Sequence, residues 1–327
     1  MNDRSDPSKH SPHNPPSQAA RDLVRGAYDL HVHVAPDVME RRIDDLGLAV
    51  SFRDAGLAGF VLKSHYVPTA ERASVVRAAV SGVEALGSIT LNRSVGGLNP
   101  VAVEIAAREG ARFVWLPTVD SRNERQSRAA APPGATPPMW ARIQDELRER
   151  GIMSMPVDVT GADGKITPEL GDVLALIARH ELVLATGHLS RDEIFAVVDA
   201  ATEAGVTRTV VTHPEFTSQR ISPADQRELG ARGAYLEHCF TTPHTGKCTW
   251  EQVIEGVRAA GPEHSFFASD LGQPFNPPVE YGLALMADRF LQAGFTEDEV
   301  HALTVANTRT LAAPKSPAAD GPAQPVP

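Results

Sequence analysis

The residues best able to do chemistry in this 327-residue chain are histidines, and two of them stand one residue apart. His31 and His33 lie in the apolar run YDLHVHVAPD, Tyr28 to Asp37, which reads as a buried strand. Side chains alternate between faces along a strand, so these two imidazoles point the same way. Other apolar runs end in a similar fashion. Lys63 and His65 share parity near the end of GFVLKSHY, His188 ends LVLATGH, His213 ends TRTVVTH and Asp270 falls near the end of SFFASDL. Glu237 and His238 are adjacent in AYLEHCF, so their opposite parities turn only one of them toward the others. Burying this many polar groups together is unfavourable unless something binds them. Imidazoles with a carboxylate are the natural first shell for Zn²⁺ or a similar divalent ion.

The elements that must carry these residues follow a rhythm. Strand-like runs fall at 27–34, 59–66, 84–92, 111–119, 182–188, 207–213, 234–240 and 265–271. Helix-like segments separate them: IDDLGLAVSFRDAG, stopped by glycine, NPVAVEIAAREG, SRDEIFAVVDAATEAG and TWEQVIEGVRAAG. Ser190 and Glu193 form a capping-box pattern at the start of the third of these. Eight strand–helix units in about 290 residues match a (β/α)₈ barrel, whose active site lies at the C-terminal strand ends. The polar residues gather at that rim. A doubly wound open sheet is the runner-up, weakened because no glycine-rich phosphate turn follows the first strand. GIMSMPVDVTGADGKITP reads as a β-hairpin turning at Gly161–Gly164, inserted between the fourth and fifth strands. The reading therefore divides the chain into a disordered tail over 1–20, a barrel over 21–312 and a second disordered tail over 313–327, the tails being rich in Pro, Ala and Ser.

The strand-end pattern resembles the amidohydrolase superfamily of metal-dependent hydrolases, in an uncharacterised branch. HVH on the first strand, histidines ending the fifth and sixth, and an aspartate ending the eighth agree with that family in order and position. The resemblance implies that His31 and His33 bind the more buried metal. It implies that His188 and His213 bind a second metal or orient water and substrate, and that Asp270 binds metal and handles the proton of the attacking water. The chain departs from binuclear members on the fourth strand: FVWLPTVDS has Thr118, Asp120 and Ser121 where they carry a bridging lysine or glutamate. One ion held by His31, His33, His188 and Asp270 is the preferred reading; a second ion is the alternative, completed by Lys63 or His65.

A bound divalent ion lowers the pKa of its water from 15.7 to about 7. Asp270 can take that proton, and His213 or Lys63 can stabilise a developing oxyanion. This set suits hydrolysis of an amide, cyclic amide, ester or lactone. Arg93, in the loop NRSVGGLNP, and Lys63 point to a carboxylate on a small-molecule substrate. His65, Glu237, His244 and Gln273 are further candidate substrate contacts, and Glu215 and Asn276 also fall on the rim. The alternatives are decarboxylation at one metal within the same superfamily, and a phosphoesterase of the polymerase-and-histidinol-phosphatase type. The latter's Asp-x-His ending is missing from SDLGQ. A formal charge of −10 argues against nucleic acid as a partner. No apolar run is long enough for a membrane span, the N-terminus has no apolar signal region, and two lone cysteines fit a reducing cytoplasm. A homo-oligomer is compatible with the sequence, which does not specify one.

Overall fold

The computed structural model describes residues 14–132, 138–152 and 155–314. Eight parallel strands form one sheet in chain order: β1 (Tyr28–Val32), β2 (Gly59–Leu62), β3 (Glu84–Thr90), β4 (Ala111–Trp115), β5 (Val183–Ala185), β6 (Thr209–Thr212), β7 (Tyr235–Cys239) and β8 (Ser265–Ala268). The sheet closes on itself just beyond β8. There the backbone N–H of Asp270 donates to His31 O at 2.9 Å, and that of His33 donates to Leu271 O at 2.8 Å. With helices between the strands, this is the (β/α)₈ barrel expected from the sequence. The strands are shorter than the apolar runs, because each run continues into the loop that carries its polar residue.

Local sequence accounts for the helices that set the strands. The helix Asp45–Ala55 starts on the Asp44 side chain, which accepts from Gly47 N, and stops at Gly56 in the left-handed region. Ser190 and Glu193 close their capping box on the helix Arg191–Glu203, and Thr249 with Gln252 closes another on Trp250–Ala260. Inside the barrel, Leu30, Val61, Leu86, Phe113, Trp115, Val183, Val210 and Phe266 fill the volume between strands. Trp115 tops this packing and makes the floor beneath His31 and Lys63.

The expected hairpin between β4 and β5 takes a different form. A single antiparallel bridge, Thr160 to Ile166, flanks the turn at 161–164, and no strand pair forms there among the described residues. The segment is held instead by a parallel bridge from Val157 to Ser121 and by the Arg122–Asp158 ion pair, so it lies against the loop after β4. Three helices, Arg122–Ala129, Met139–Glu149 and Pro168–Arg179, occupy the same connection among the described residues. At the N-terminus the helix Gln18–Leu23, capped by Ser17, begins within the segment read as a tail. The rest of that reading, over 1–13 and 315–327, lies outside the described residues. Among the described residues no helix is long and apolar enough to cross a membrane.

Candidate metal centre

The closure of the barrel is what brings the first donors together. Asp29, fully buried on β1, accepts the backbone N–H of Ser269 at 2.9 Å and clamps the end of β8 to β1. Burial pushes its carboxyl up to about 7. Gly272 has φ +132, and a Cβ there would come within 1.5 Å of His33 O, so only glycine lets the chain past β8 lie on the end of β1. Asp270 itself has φ 51, in the left-handed region that a non-glycine residue enters at an expense of order 1–3 kcal/mol. The result is one carboxylate oxygen, Asp270 Oδ1, 3.2 Å from both His31 Nε2 and His33 Nε2. Its other oxygen accepts the Thr241 hydroxyl at 2.7 Å. Burial would raise the pKa of Asp270, but His31, His33 and Lys63 outweigh it and hold the carboxyl well below its usual range.

Three imidazoles of this rim are oriented from behind. His31 Nδ1 lies 3.2 Å from Glu237 Oε1, His188 Nδ1 lies 3.0 Å from Glu124 Oε2, and His213 Nδ1 lies 2.8 Å from Gln219 Oε1. A carboxylate can only accept, so His31 and His188 donate through Nδ1. Gln219 gives its amide N–H groups to Gly187 O and Thr212 O, which leaves its oxygen to accept from His213. His188 and His213 therefore carry the proton on Nδ1 and a lone pair on Nε2, whereas His31 has a carboxylate at each nitrogen, Glu237 at Nδ1 and Asp270 at Nε2. Burial holds His33 at about 3, with Arg41 nearby, and holds His65 and His213 well below the ordinary imidazole value. His188 is also lowered by burial, against the pull of Glu124. Neutral imidazoles with free Nε2 lone pairs are the state in which histidine ligates a metal.

The rings form one cluster. Centroids lie 5.3 Å apart for His31–His33, 4.9 Å for His33–His65, 6.3 Å for His65–His188, 4.9 Å for His188–His213 and 6.1 Å for His31–His213. Donor atoms of His31, His33 and Asp270 converge within 4.8 Å of one another. Two ligands at 2.0–2.1 Å from a tetrahedral ion stand roughly 3.3 Å apart, close to the Nε2–Oδ1 separations here. The residues fit a divalent ion. His188, read from the sequence as a fourth ligand of the same ion, is outside that tight group; its backbone is brought in by Gly187, whose φ of +63 and closeness to Leu116 O exclude a side chain. Like Asp270, His213 sits in the left-handed region, at φ 27.

Lys63 is buried in the cluster, with Nζ 2.8 Å from His31 Nε2 and 5.0 Å from the Trp115 ring. Burial lowers its pKa. His65 faces the cluster with Nδ1 2.9 Å from Thr118 Oγ1. The remaining expected substrate contacts are otherwise engaged. Arg93 is exposed and donates to Met155 O and Pro156 O. Glu237 lies beneath His31, and Gln273 braces its own turn by donating to Asp270 O. His244 is exposed and stacks on Phe240 at 4.7 Å. His238 faces away from the cluster, 3.0 Å from Glu215. Asp120 pairs with Arg125 and the backbone of Arg93, so β4 adds no bridging group.

Glu124 and Gln219 were not found by reading strand ends. Glu124 had a signal in Ser121-x-x-Glu124, a capping-box pattern directly after β4. Gln219 follows His213 by six residues, in a loop with no periodicity to place it.

Residues 26–237 match the sequence profile of a family of unknown function, DUF6282. No curated protein matches the sequence. In structure the chain is similar to an amidohydrolase from Pseudomonas aeruginosa, with 11% identity, a TM-score of 0.57, and coverage of 90% of this chain and 98% of that one. An amidohydrolase from Burkholderia multivorans solved with bound zinc gives 12%, 0.53, 87% and 98% on the same measures. A candidate 2-pyrone-4,6-dicarboxylic acid hydrolase from Pseudomonas putida gives 17%, 0.53, 88% and 97%. At these identities the likeness is one of fold, the (β/α)₈ barrel.

Proposed function

The chain belongs to the DUF6282 family, and from that premise and the geometry of its histidine cluster we propose that it is a metal-dependent hydrolase cleaving a C–N or C–O bond at a carbonyl. The observation that carries this reading is the shared orientation of His31, His188 and His213. Each ties Nδ1 to an oxygen acceptor and turns Nε2 inward, toward the centre that holds an ionised Asp270. The zinc in the Burkholderia multivorans amidohydrolase supports zinc as the ion.

A divalent ion held by His31, His33 and Asp270, when bound, supplies Lewis acidity and makes water acidic near neutral pH. The protein's own groups do the rest. Asp270 Oδ1 takes the proton of the attacking water, and the Thr241 hydroxyl on Oδ2 keeps the carboxylate turned toward the imidazoles. His213, protonated on Nδ1, offers the centre a lone pair rather than a proton; it orients water or ligates. Lys63 is then the N–H donor nearest the cluster and the group suited to a developing oxyanion. Its Nζ lies 2.8 Å from His31 Nε2, at the edge of the donor set that would hold the ion. The cluster is roofed by Phe216, whose ring lies 4.7 Å from His213 and limits water on the β6 side. The free cysteines, Cys239 buried and Cys248 half-buried, support a reducing compartment such as the cytoplasm.

The test is metal content followed by turnover. Purified protein is expected to hold at least one divalent ion per chain, to lose activity with chelator and to regain it with Zn²⁺, Mn²⁺ or Co²⁺. A panel of amides, lactones, phosphoesters and aromatic carboxylic acids then reads the reaction class. Turnover confined to phosphoesters, or loss of CO₂ from an aromatic acid, would replace the hydrolytic reading. An active protein free of metal would remove it.

A further inference from the structure

Lys247 is an amine that the histidine cluster does not use. It follows the short helix Thr241–His244, which leaves β7. Its Nζ lies 4.3 Å from the centroid of the Phe216 ring, and that ring packs 4.7 Å from His213 and 5.4 Å from His188. On its other side Lys247 lines a cavity of about 400 Å³, together with Glu215, Arg220, Gln226, Cys248 and Glu255. Lys247 thus stands in the wall between the cavity and the cluster, close enough to feel Asp270 and Glu124 through space.

Neither acid is available to pair with it. Asp270 is occupied by His31, His33 and Thr241, and Glu124 by His188. Glu215 accepts from Gln226 and lies 3.0 Å from His238. Among the described residues no hydrogen bond or ion pair engages the Lys247 ammonium, and burial lowers its pKa. A half-buried ammonium seated on an aromatic face, with no anion in hydrogen-bond reach, is a site that an incoming anion stabilises. Arg220, exposed and with its side chain likewise unpaired, adds positive charge to the same cavity. Glu215 and Glu255 in that wall disfavour a dianionic phosphate, whereas a single carboxylate needs only one cation. Arg93, the surface candidate for such a partner, is spent on Met155 and Pro156, and Lys63 sits inside the cluster.

We propose that Lys247 binds a carboxylate on the non-reacting end of the substrate, with the cavity beside Phe216 receiving that end. The inference rests on the hydrolase reading for the word substrate, and its test separates the two. Zinc-loaded protein is titrated calorimetrically with α,ω-dicarboxylates from malonate to adipate and with the monoamide of each. One carboxylate occupies the metal side and the other reports on Lys247. The best diacid is expected to bind about ten- to a hundred-fold more tightly than its monoamide, as a charge-assisted contact does. Lys247→Met keeps the stem over Phe216, and it is expected to erase that preference while metal content and Tm stay near wild type. Lys247→Arg is expected to keep part of the preference. Lys247→Gln replaces the Met variant if that one loses metal or stability. A diacid preference that survives both neutral variants, or no preference in any chain length, overturns the proposal. Preference lost with Lys247 in a protein that turns over no ester or amide would leave the anion site standing and remove the hydrolase reading. Turnover of uncharged esters with no diacid preference would do the reverse.

Discussion

The β1/β8 side and the β5/β6 side of the histidine cluster use the same residue types and differ in what their donor atoms face. On the first side His31, His33 and Asp270 point at one another, and Asp270 Oδ1 is shared at 3.2 Å by two imidazoles. On the second side His188 and His213 sit ring to ring at 4.9 Å, each held from behind by Glu124 or Gln219, and no carboxylate joins them. Both sides turn Nε2 atoms toward the centre of the cluster. Only the first presents a tight set of three donors, and the other such trio among the described residues, His31, Glu237 and Cys239, also draws on β1. Orientation of a ligand and convergence of ligands are therefore separate achievements. Backbone bonds across the barrel seam produce the convergence at β1/β8, and loop side chains produce the orientation at β5/β6.

Asp270→Asn tests the comparison most severely. The carboxamide cannot take the proton and puts an N–H or a weaker oxygen where the shared carboxylate stood. Activity is expected to fall by more than the 10²–10⁴ of general acid–base removal alone, with metal content reduced; near-normal kcat would assign Asp270 to the backbone turn instead.

The next largest contrast is between the sides themselves. His33→Ala is expected to leave the purified protein without metal, whereas His188→Ala keeps one ion per chain at lower affinity. Metal analysis showing two ions in the wild type and one in His188→Ala would make the β5/β6 side a second site. Lys63→Met sharpens the same point. An amine that merely shares His31 Nε2 leaves metal content unchanged when removed, while a carbamylated bridging lysine takes one ion with it.

Glu124→Gln acts one step back. A neutral amide can turn its N–H toward His188 Nδ1 and move the imidazole proton to Nε2. Outer partners of this kind change affinity or activity about 10–100-fold. The loss should appear in metal affinity or kcat/KM with little change in Tm, and a Tm drop without a kinetic effect would make Glu124 a fold residue. The smallest effect is expected for Arg93→Ala. Its guanidinium donates to two exposed carbonyls of the insertion, so KM should move by less than about two-fold and stability by about 1 kcal/mol or less. A ten-fold rise in KM would return Arg93 to the substrate.

What the sequence determined alone was whatever repeats over a few residues. The period of two in YDLHVHV put His31 and His33 on one face, and apolar runs between capped helices counted out eight units, which the structure closes into the expected barrel. Strand-end position was enough to bring His65, His188, His213 and Asp270 to one rim. Tertiary structure decided what those residues meet. Ser121-x-x-Glu124 and Ser190-x-x-Glu193 are the same local pattern, and both serines cap their helices. Glu193 returns to Ser190, while Glu124 leaves its own helix to hold His188, sixty-four positions along the chain. Nothing in either tetrapeptide distinguishes them, because the choice depends on which strand end passes nearby. The same holds for Arg93, drawn outward by carbonyls of the insertion, and for Lys247, set on Phe216 by two loops that meet only when the barrel is closed. Short-range periodicity fixes which face a side chain takes, whereas its partner is fixed by the path of chain segments distant in sequence.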